Sequence, residues 1–312
     1  MLKRDDLMIK VATLYYEADF TQSEIAKRLK ISRPTVSTLL KEAKEKGIVR
    51  ITIQHSKMNA NKQQEAIAAL YNLQSVTIAP QGYGTLTNKN MVGSLCADFV
   101  EKKALDIESI GIGWGTTIFE FVQAASYADF NHLDIVPLIG GFGINNVQYH
   151  SNHLAFQLAN KYNCSVNYFY APAIAESIEV KNILESTELI KQIYQKGKSV
   201  DLTIVGIGNP IESSTYRQFG YISEQEKNII KNAAVVGDAL ATFFDEEGNS
   251  VATTVSERML GITLEDLEMA KETLILASGI EKAPSIKALL KKGFIDHLIV
   301  DKEIADYIMS AE

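Results

Sequence analysis

A glycine- and threonine-rich turn at residues 111–117, GIGWGTT, carries the residue types that bind an anion. Glycines let backbone N–H groups approach a negatively charged ligand, and Thr116 and Thr117 add hydroxyl donors at the start of a predicted helix. No Gly-Lys-Ser/Thr follows, and the third glycine of a dinucleotide fingerprint is missing, so neither a Walker P-loop nor a dinucleotide site is predicted. The turn is a candidate phosphate site, with close strand–helix packing as the alternative reason for its glycines.

Three more turns after apolar runs carry small or polar residues. They are residues 137–143 (PLIGGFG), residues 205–210 (VGIGNP) and the pair Gly237-Asp238. Amides after the first of these turns are candidates for binding sugar hydroxyls, although solvated loop residues of this kind are equally common. Asp238 is a candidate binding carboxylate, with a helix N-cap or a buried structural role as the alternatives. Lys282 is a candidate to neutralise a phosphate held at residues 111–117.

A second kind of chemistry is predicted at residues 21–46, where the pattern is typical of a helix-turn-helix. Thr21 and Glu24 are spaced as a capping box for a first helix. Ser32 is a good N-cap for a second helix, and Pro34 falls in its first turn, where a missing N–H costs little. The apolar residues that would pack the second helix onto the first recur at helical spacing: Val36, Leu39, Leu40 and Ala43.

This packing leaves a polar face on the second helix. Its predicted DNA-contacting residues are Ser32, Arg33, Pro34, Thr35, Ser37, Thr38 and Lys41. A recognition helix lies in the major groove with its N-terminal residues at the base edges. Arg33 is placed to pair with a guanine, and the hydroxyls and Lys41 to hold backbone phosphates. The alternative is an ordinary helical hairpin with a solvated basic face.

Charge and cysteine content agree with this division of roles. Residues 1–54 hold 11 Lys and Arg against 7 Asp and Glu, a net +4, whereas the remainder holds 20 against 31, a net −11. A basic head on an acidic body is typical of a DNA reader attached to a unit that does not bind nucleic acid. With two cysteines, no secretory h-region and no membrane-length apolar run, we expect a cytoplasmic protein without a disulfide framework.

The predicted elements give two domains, residues 1–54 and residues 55–312. The first has a leading helix at residues 5–18, the helix-turn-helix, and a wing strand at residues 48–53. In the second, apolar runs predict strands at residues 76–79, 110–113, 135–139, 166–172, 202–206, 274–278 and 298–300. Helices are predicted at residues 65–73, 88–103, 151–161, 182–195, 223–232, 285–292 and 302–309, and a hairpin at residues 240–244 and 251–254. Such alternation predicts an α/β fold with a mostly parallel, Rossmann-like sheet, which binds ligands beyond the carboxyl ends of its strands.

Metal binding and catalysis are not favoured. His150 and His153 are three residues apart, but no Cys or paired carboxylate nearby completes a metal set. Catalysis on a sugar phosphate would need a positioned acid and base, and Asp238 is the single convincing candidate near a glycine turn. A sugar-phosphate isomerase or deaminase is therefore the alternative function, and we expect no catalytic residue, metal or cofactor.

Several stretches together resemble the SorC family of bacterial sugar-responsive transcriptional regulators. They are residues 14–16 (LYY), 32–37 (SRPTVS), 114–117 (WGTT), 217–221 (RQFGY), 237–238 (GD) and 243–249 (FFDEEGN). Within the family, the chain looks most like the deoxyribonucleoside regulator branch. The resemblance implies a winged helix-turn-helix on a domain related to glucosamine-phosphate deaminases and ribose-phosphate isomerases. It also implies a homodimer or homotetramer that binds operator DNA under the control of a phosphorylated sugar, here as a repressor.

The same resemblance implies roles for individual residues. It places the phosphate at Gly113, Gly115, Thr116, Thr117 and Lys282, and the sugar at Asp238. Relatives that bind deoxyribose phosphate carry a lysine where this chain has Ile139, which cannot form a Schiff base with an aldehyde. Covalent capture of an open-chain sugar is therefore not expected. The full expected effector site is Gly113, Gly115, Thr116, Thr117, Gly140, Gly141, Asn145, Asn152, Arg217, Asp238 and Lys282.

Overall fold

The computed structural model describes residues 4–49, 58–81, 85–213 and 215–310 of the 312-residue chain. The chain divides into two compact units, residues 1–55 and residues 56–312. Most of the predicted wing strand at residues 48–53, and the predicted domain boundary after residue 54, lie outside the described residues. Each unit is described by itself below.

The N-terminal unit contains three helices, α1 (Arg4–Tyr16), α2 (Gln22–Leu29) and α3 (Arg33–Glu45). The predicted capping box begins α2, because the Glu24 carboxylate accepts the Thr21 N–H at 2.8 Å and the Thr21 hydroxyl accepts the Glu24 N–H at 3.4 Å. Lys30 adopts a left-handed conformation, with φ of 54°, and ends α2. The Ser32 hydroxyl then accepts the Thr35 N–H at 3.2 Å and begins α3 as predicted.

One apolar core holds these three helices together. The predicted inward residues Val36, Leu39, Leu40 and Ala43 of α3 are all buried, together with Ile25 of α2 and Met8 and Val11 of α1. Spacing of three and four residues puts these side chains on one stripe of each helix, so burial of that stripe leaves the opposite face of α3 in solvent. The helix-turn-helix predicted from the sequence is confirmed.

The C-terminal unit is built on a parallel sheet. Its strand order is β1 (Ser75–Ala79), β9 (His297–Asp301), β8 (Thr273–Ala277), β5 (Leu202–Gly208), β2 (Ser109–Ile112), β3 (Asp134–Pro137) and β4 (Ser165–Val166). An antiparallel pair, β6 (Gly237–Ala239) and β7 (Thr242–Phe244), extends β5 beyond the parallel sheet. The helices are α4 (Met58–Tyr71), α5 (Thr85–Lys103), α6 (Thr116–Ala124), α7 (Ser151–Tyr162), α8 (Ile178–Ser186), α9 (Glu188–Ser199), α10 (Thr215–Gln218), α11 (Glu224–Asn232), α12 (Leu264–Glu268), α13 (Ala283–Leu290) and α14 (Lys302–Ser310).

Both faces of the sheet are covered, as the apolar strand pattern predicted. Successive residues of a strand point to opposite faces. Accordingly, Val205 and Ile275 belong to one apolar core, whereas Ile204 and Leu274 belong to another on the other side of the sheet. The predicted α/β class with a parallel sheet is confirmed.

The strand order reverses between β2 and β5. From β2 the chain continues to β3 on one side, whereas the parallel strand that follows β5 along the chain is β8 on the other side. The connections after these two strands therefore diverge and leave a crevice at their carboxyl ends, which is where open parallel sheets bind ligands.

Two predicted elements take another form. The helix predicted at residues 182–195 is two helices, because Thr187 is extended (φ −70°, ψ 142°) and its hydroxyl donates to the carbonyl of Leu184. Threonine competes for backbone partners in this way and favours helix ends. The strand predicted at residues 166–172 ends at Val166, and the rest of that range is irregular.

The predicted hairpin is shifted toward the N-terminus. Its tight turn lies at Leu240 and Ala241, where Leu240 has φ of 50°, and it joins β6 to β7. The Asp245 carboxylate accepts backbone N–H groups at residues 247 and 249 and so forms a second turn. Residues 251–254 do not form the predicted strand, because beyond a single bridge at Ser250 the chain turns around Thr253.

Candidate functional site

A cavity that is open to solvent lies at the carboxyl ends of β2 and β5. Its lining residues come from four separate parts of the chain. They are Trp114, Gly115, Thr116, Thr117, Gly206, Ile207, Gly208, Ser213, Thr215, Asp238 and Lys282. The structure thus brings together five of the predicted effector residues: Gly115, Thr116, Thr117, Asp238 and Lys282.

The first turn of α6 forms the floor of this cavity. Gly115 precedes it with φ of 105°, a conformation that L side chains rarely adopt, and no side chain caps the helix among the described residues. First-turn N–H groups have no intrahelical partners, so Thr116 and Thr117 present backbone and hydroxyl donors at the positive end of the helix dipole. These are the donors that an anion requires.

Gly113 and Gly115 shape the turn but do not supply donors. The Gly113 N–H donates to the carbonyl of Ile204 at 2.9 Å, and the Gly115 N–H donates to that of Tyr149 at 3.0 Å. The prediction that backbone amides at these glycines hold the anion is corrected accordingly. Their contribution is to let β2 turn sharply into α6 beside β5.

Lys282 lies in a 3₁₀ turn after β8 and is 6% exposed. Among the described residues, its ammonium forms neither a hydrogen bond nor an ion pair. Burial, together with the nearby ammonium of Lys89, lowers the pKa of Lys282 to about 8. The cavity therefore holds a buried ammonium that contacts no carboxylate among the described residues, and an anionic ligand would supply such a contact.

Asp238 faces the same cavity from β6 and is 5% exposed. Its register partner is Gly208, where an added Cβ would lie 2.3 Å from Asp238 Oδ1, so the carboxylate occupies space that a glycine leaves open. Oδ1 is buried and has no hydrogen-bond partner among the described residues. Burial raises the pKa of Asp238 to about 7, and the charge of Lys282 partly offsets this. An unpartnered acceptor of this kind suits a ligand hydroxyl.

Sequence reasoning missed Lys89. Its ammonium donates to the Thr116 hydroxyl at 3.2 Å and approaches the floor of the cavity from α5. The contact depends on a close crossing of α5 over α6 at Gly93, where an added Cβ would lie 2.5 Å from the Glu120 carbonyl carbon. A glycine one helical turn after a lysine was visible in the sequence, but nothing there showed which helix would pack against it.

Gly140 and Gly141 use their N–H groups within the fold and do not line the cavity. The Gly140 N–H donates to the carbonyl of Leu260 at 3.1 Å, and the Gly141 N–H to that of Ala171 at 3.0 Å. A Cβ on Gly140 would lie 2.6 Å from the carbonyl carbon of Pro172. The expectation that this glycine pair contacts the effector is corrected, because its donors are already used.

Asn152 and Asn145 also lie outside the lining of this cavity. The Asn152 amide oxygen accepts the Phe169 N–H at 2.7 Å, and its amide nitrogen donates to the Phe169 carbonyl at 3.0 Å. These two hydrogen bonds hold the irregular segment after β4 in place. The prediction that Asn152 contacts the effector is corrected, because its side-chain amide is used within the fold. Asn145 is exposed, and its carbonyl accepts the Tyr221 hydroxyl at 3.1 Å. Arg217 belongs to α10, and its side chain lies outside the description.

Aromatic side chains close one side of the cavity. Trp114 is 7% exposed and stacks on Phe142, with ring centroids 4.0 Å apart, and Tyr221 stacks on the same ring at 5.0 Å. His150 Nε2 and the Tyr221 hydroxyl are 2.9 Å apart, which accounts for this histidine without a metal. In the described ranges, no group of three or more His, Cys, Asp or Glu could hold a metal ion.

A wider cleft beside α9 is a weaker candidate site. Four of its polar side chains pair with one another, since Lys198 lies 2.9 Å from Asp266 and the Tyr194 hydroxyl donates to Glu185 at 2.9 Å. Groups that already have partners need no ligand, whereas Lys282 and Asp238 do.

On the N-terminal unit, all seven predicted DNA-contacting residues are exposed. Three of the hydroxyls are used locally, because those of Ser32 and Thr35 lie 2.7 Å apart and that of Thr38 donates to the Pro34 carbonyl at 3.1 Å. Arg33 and Ser37 make no side-chain hydrogen bond with any described residue. Arg33, at the first position of α3, thus remains a candidate to contact base edges.

No helix in the described part of the chain has both the length and the apolar character needed to cross a membrane. The candidate sites are therefore the exposed face of α3 in the N-terminal unit and the cavity between β2 and β5 in the C-terminal unit.

Comparisons with known proteins agree with this arrangement. Residues 56–310 match the protein family described as "Putative sugar-binding domain", and residues 11–55 match the one described as "MarR family". The chain is 28% identical over 307 residues to the deoxyribonucleoside regulator of Bacillus subtilis (strain 168), with 97% of each chain covered. It has the same identity and coverage with the sorbitol operon regulator of Klebsiella pneumoniae. The crystal structure of that full-length regulator, SorC, matches with a TM-score of 0.77 over 99% of this chain and 100% of that chain.

The match to the sugar-binding family covers most of the chain, and these relatives are named as transcriptional regulators and not as enzymes. This confirms the regulator class over the isomerase or deaminase alternative. The chain belongs to the SorC family of sugar-binding transcriptional regulators, with DNA as the partner of its helix-turn-helix.

Proposed function

We propose that this protein is a repressor whose binding to operator DNA is controlled by a phosphorylated sugar or polyol in the cavity between β2 and β5. The observation that carries the proposal is that the first turn of α6 and the buried ammonium of Lys282 line one cavity, and that among the described residues no side chain caps the former or pairs with the latter. A phosphate group placed there accepts from the donors of Thr116 and Thr117 and pairs with Lys282.

The rest of the ligand would carry hydroxyl groups. Asp238 Oδ1 and Ser213 Oγ are both buried and lack hydrogen-bond partners among the described residues. Asp238 can accept from a ligand hydroxyl, and Ser213 can donate to or accept from one. The names of two relatives, a sorbitol operon regulator and a deoxyribonucleoside regulator, agree with a hydroxyl-bearing ligand.

The effector is proposed to bind without a covalent bond through residue 139. Ile139 is fully buried and forms a backbone bridge with Gly261. An apolar side chain at this position offers no amine for a Schiff base.

Control of DNA binding is proposed to act through a homodimer or homotetramer. Two recognition helices match two half-sites only when they lie about one helical turn of DNA, or a multiple of it, apart. A ligand that prefers another arrangement of subunits shifts the population away from the DNA-binding one. A coupling of about 1–3 kcal/mol changes operator affinity roughly 5- to 150-fold.

Fluorescence of Trp114, the single tryptophan of the chain, tests the ligand class directly because this residue lines the cavity. Pentose, hexose and polyol phosphates are titrated beside their unphosphorylated parents, and operator binding is followed in parallel by fluorescence anisotropy. We expect a saturable change with phosphorylated compounds alone, and the same compounds should release the operator.

Lys282→Gln provides the matched variant, with Lys231→Gln on the exposed surface of α11 as its control. The first should lose the response to phosphorylated compounds and the second should keep it. A response to free sugars alone would remove the phosphate role of Thr116, Thr117 and Lys282. Equal operator affinity with and without every responding compound would refute control by the effector.

A further inference from the structure

Two lysines from different parts of the fold converge on one hydroxyl-bearing turn. Lys89 extends from α5 and donates to the Thr116 hydroxyl at 3.2 Å. Thr116 lines the cavity together with Lys282, which comes from the turn after β8. The lowering of the Lys282 pKa by Lys89 agrees with two ammonium groups that repel each other across this turn.

Among the described residues, no carboxylate forms an ion pair with Lys89 or Lys282, although several lie close enough for their charge to act on these lysines. Glu120, which faces Lys89 from α6, accepts from the Asn90 amide at 2.7 Å. Asp301 accepts from the Ser278 hydroxyl at 2.8 Å, the Gly279 N–H at 2.7 Å and the Ile304 N–H at 3.1 Å, and so caps the end of β8 and the start of α14. Glu281 and Asp238 act on Lys282 through their charge, but neither forms an ion pair with it among the described residues.

The position of Lys89 is fixed by the crossing of α5 and α6. Gly93, one turn further along α5, has no room for a side chain against the α6 backbone. The Asn90–Glu120 hydrogen bond joins the same two helices. A group held in place before the ligand arrives loses little conformational freedom on binding, so its charge acts on the ligand at little further cost.

We propose that Lys89 is a specificity-determining residue that makes the site select a dianionic phosphate monoester over a monoanionic ester of the same shape. The inference rests on the proposed function and specifies which charge of the phosphate group the site prefers. One ammonium balances a single negative charge, and a second, held at the Thr116 hydroxyl, favours a second negative charge. Because interaction energy is proportional to the product of the charges, loss of Lys89 should cost a dianion twice what it costs a monoanion.

Methyl phosphate and methyl sulfate are the probes, since they have the same shape and differ in charge. With a second pKa near 6, a phosphate monoester is largely dianionic at a pH somewhat above 7, whereas the sulfate ester is a monoanion. The full-length protein is titrated with each ester to tens of millimolar at constant ionic strength, by Trp114 fluorescence and by thermal unfolding. The variants are Lys89→Gln, Lys89→Arg and, as a control on the exposed end of the same helix, Lys102→Gln.

If Lys89→Gln lowers the affinity for methyl sulfate about 5-fold, it should lower the affinity for methyl phosphate about 25-fold, because the loss of binding free energy doubles. Lys89→Arg should restore most of the preference, and Lys102→Gln should leave both affinities unchanged.

Equal losses for the two esters would overturn the inference and leave Lys89 as a residue that only positions Thr116. No loss for either would overturn it as well. Failure of the wild-type protein to bind methyl phosphate would instead overturn the proposed phosphate site itself, so the two failures are distinct.

Discussion

Lys282→Met is expected to stabilise the unliganded protein and to abolish its response to a phosphate ester. Burial lowers the pKa of Lys282 from 10.5 to about 8. At 1.36 kcal/mol per pKa unit, keeping this group charged at neutral pH costs the folded state on the order of 3 kcal/mol. Met fills a similar volume without a charge, so we expect the free energy of unfolding to rise by about 1–3 kcal/mol.

The effect has a defined pH window. The folded-state pKa lies below the unfolded one, so between pH about 8 and pH 10.5 the folded state binds fewer protons, and wild-type stability rises with pH. The advantage of the variant is therefore largest below pH 8 and disappears as the pH approaches 10.5. Binding of the anion to the wild-type protein should weaken across the same window, because it requires the ammonium.

Thermal unfolding, followed by circular dichroism at about pH 7 and about pH 10, measures the effect with and without a responding sugar phosphate. A gain of 1 kcal/mol corresponds to roughly 2–4 °C for a unit of this size. Lys231→Met, at an exposed position, should change stability by less than about 0.5 kcal/mol. A lower unfolding temperature of unliganded Lys282→Met would refute the reasoning, because it would mean that the ammonium stabilises the empty fold.

Other positions give equally direct tests. Gly208→Ala places a Cβ 2.3 Å from Asp238 Oδ1 and should cost about 1–3 kcal/mol and weaken sugar-phosphate binding, whereas Gly141→Ala meets no atom within 4 Å and should change neither. Denaturant unfolding and ligand titration compare the two, and similar effects would contradict the packing argument. Burial raises the pKa of Asp238 from 3.8 to about 7, so the folded state keeps a proton that the unfolded state loses, and wild-type stability falls as the pH rises through this range. Asp238→Asn should lack this fall in denaturant unfolding, and parallel pH profiles would disprove the role of the carboxyl. Arg33→Ala should weaken operator binding by about 1–3 kcal/mol and leave sugar-phosphate binding intact. Fluorescence anisotropy with Lys10→Ala as control measures this, and an equal loss in the two variants would remove Arg33 as a base reader.

The N-terminal unit followed from the sequence because its signals are short-range. The capping box of Thr21 and Glu24 and the N-cap at Ser32 join residues three apart, and the structure contains each of them. Apolar spacing on a helix also fixes which face is buried, and hence which side chains of α3 remain in solvent. No knowledge of the rest of the chain was needed for these steps.

Part of the effector cavity was also predictable. Apolar runs that end in small or polar residues located the carboxyl ends of β2 and β5, and parallel strands bring such ends to one edge. The residue types at turns proposed Asp238 and Lys282, the resemblance to a family supported both, and the structure places them in the same cavity. The glycine pair at residues 140–141 carries the same local signal and is nevertheless used within the fold, because a glycine turn looks alike in sequence whether its N–H groups face a ligand or another strand.

What the sequence determined was the set of elements and the chemistry available at their ends. Only the tertiary structure decided which groups meet: Lys89 reaches Thr116 through a helix crossing, and Asp238 comes to face Gly208 through an antiparallel pairing. The same long-range contacts decided which groups already have a partner, since the Asn152 amide is consumed by Phe169 and the Lys282 ammonium is not. Caps and periodicity act over three or four residues, whereas the partner of a buried polar group is set by the packing of segments far apart in the chain.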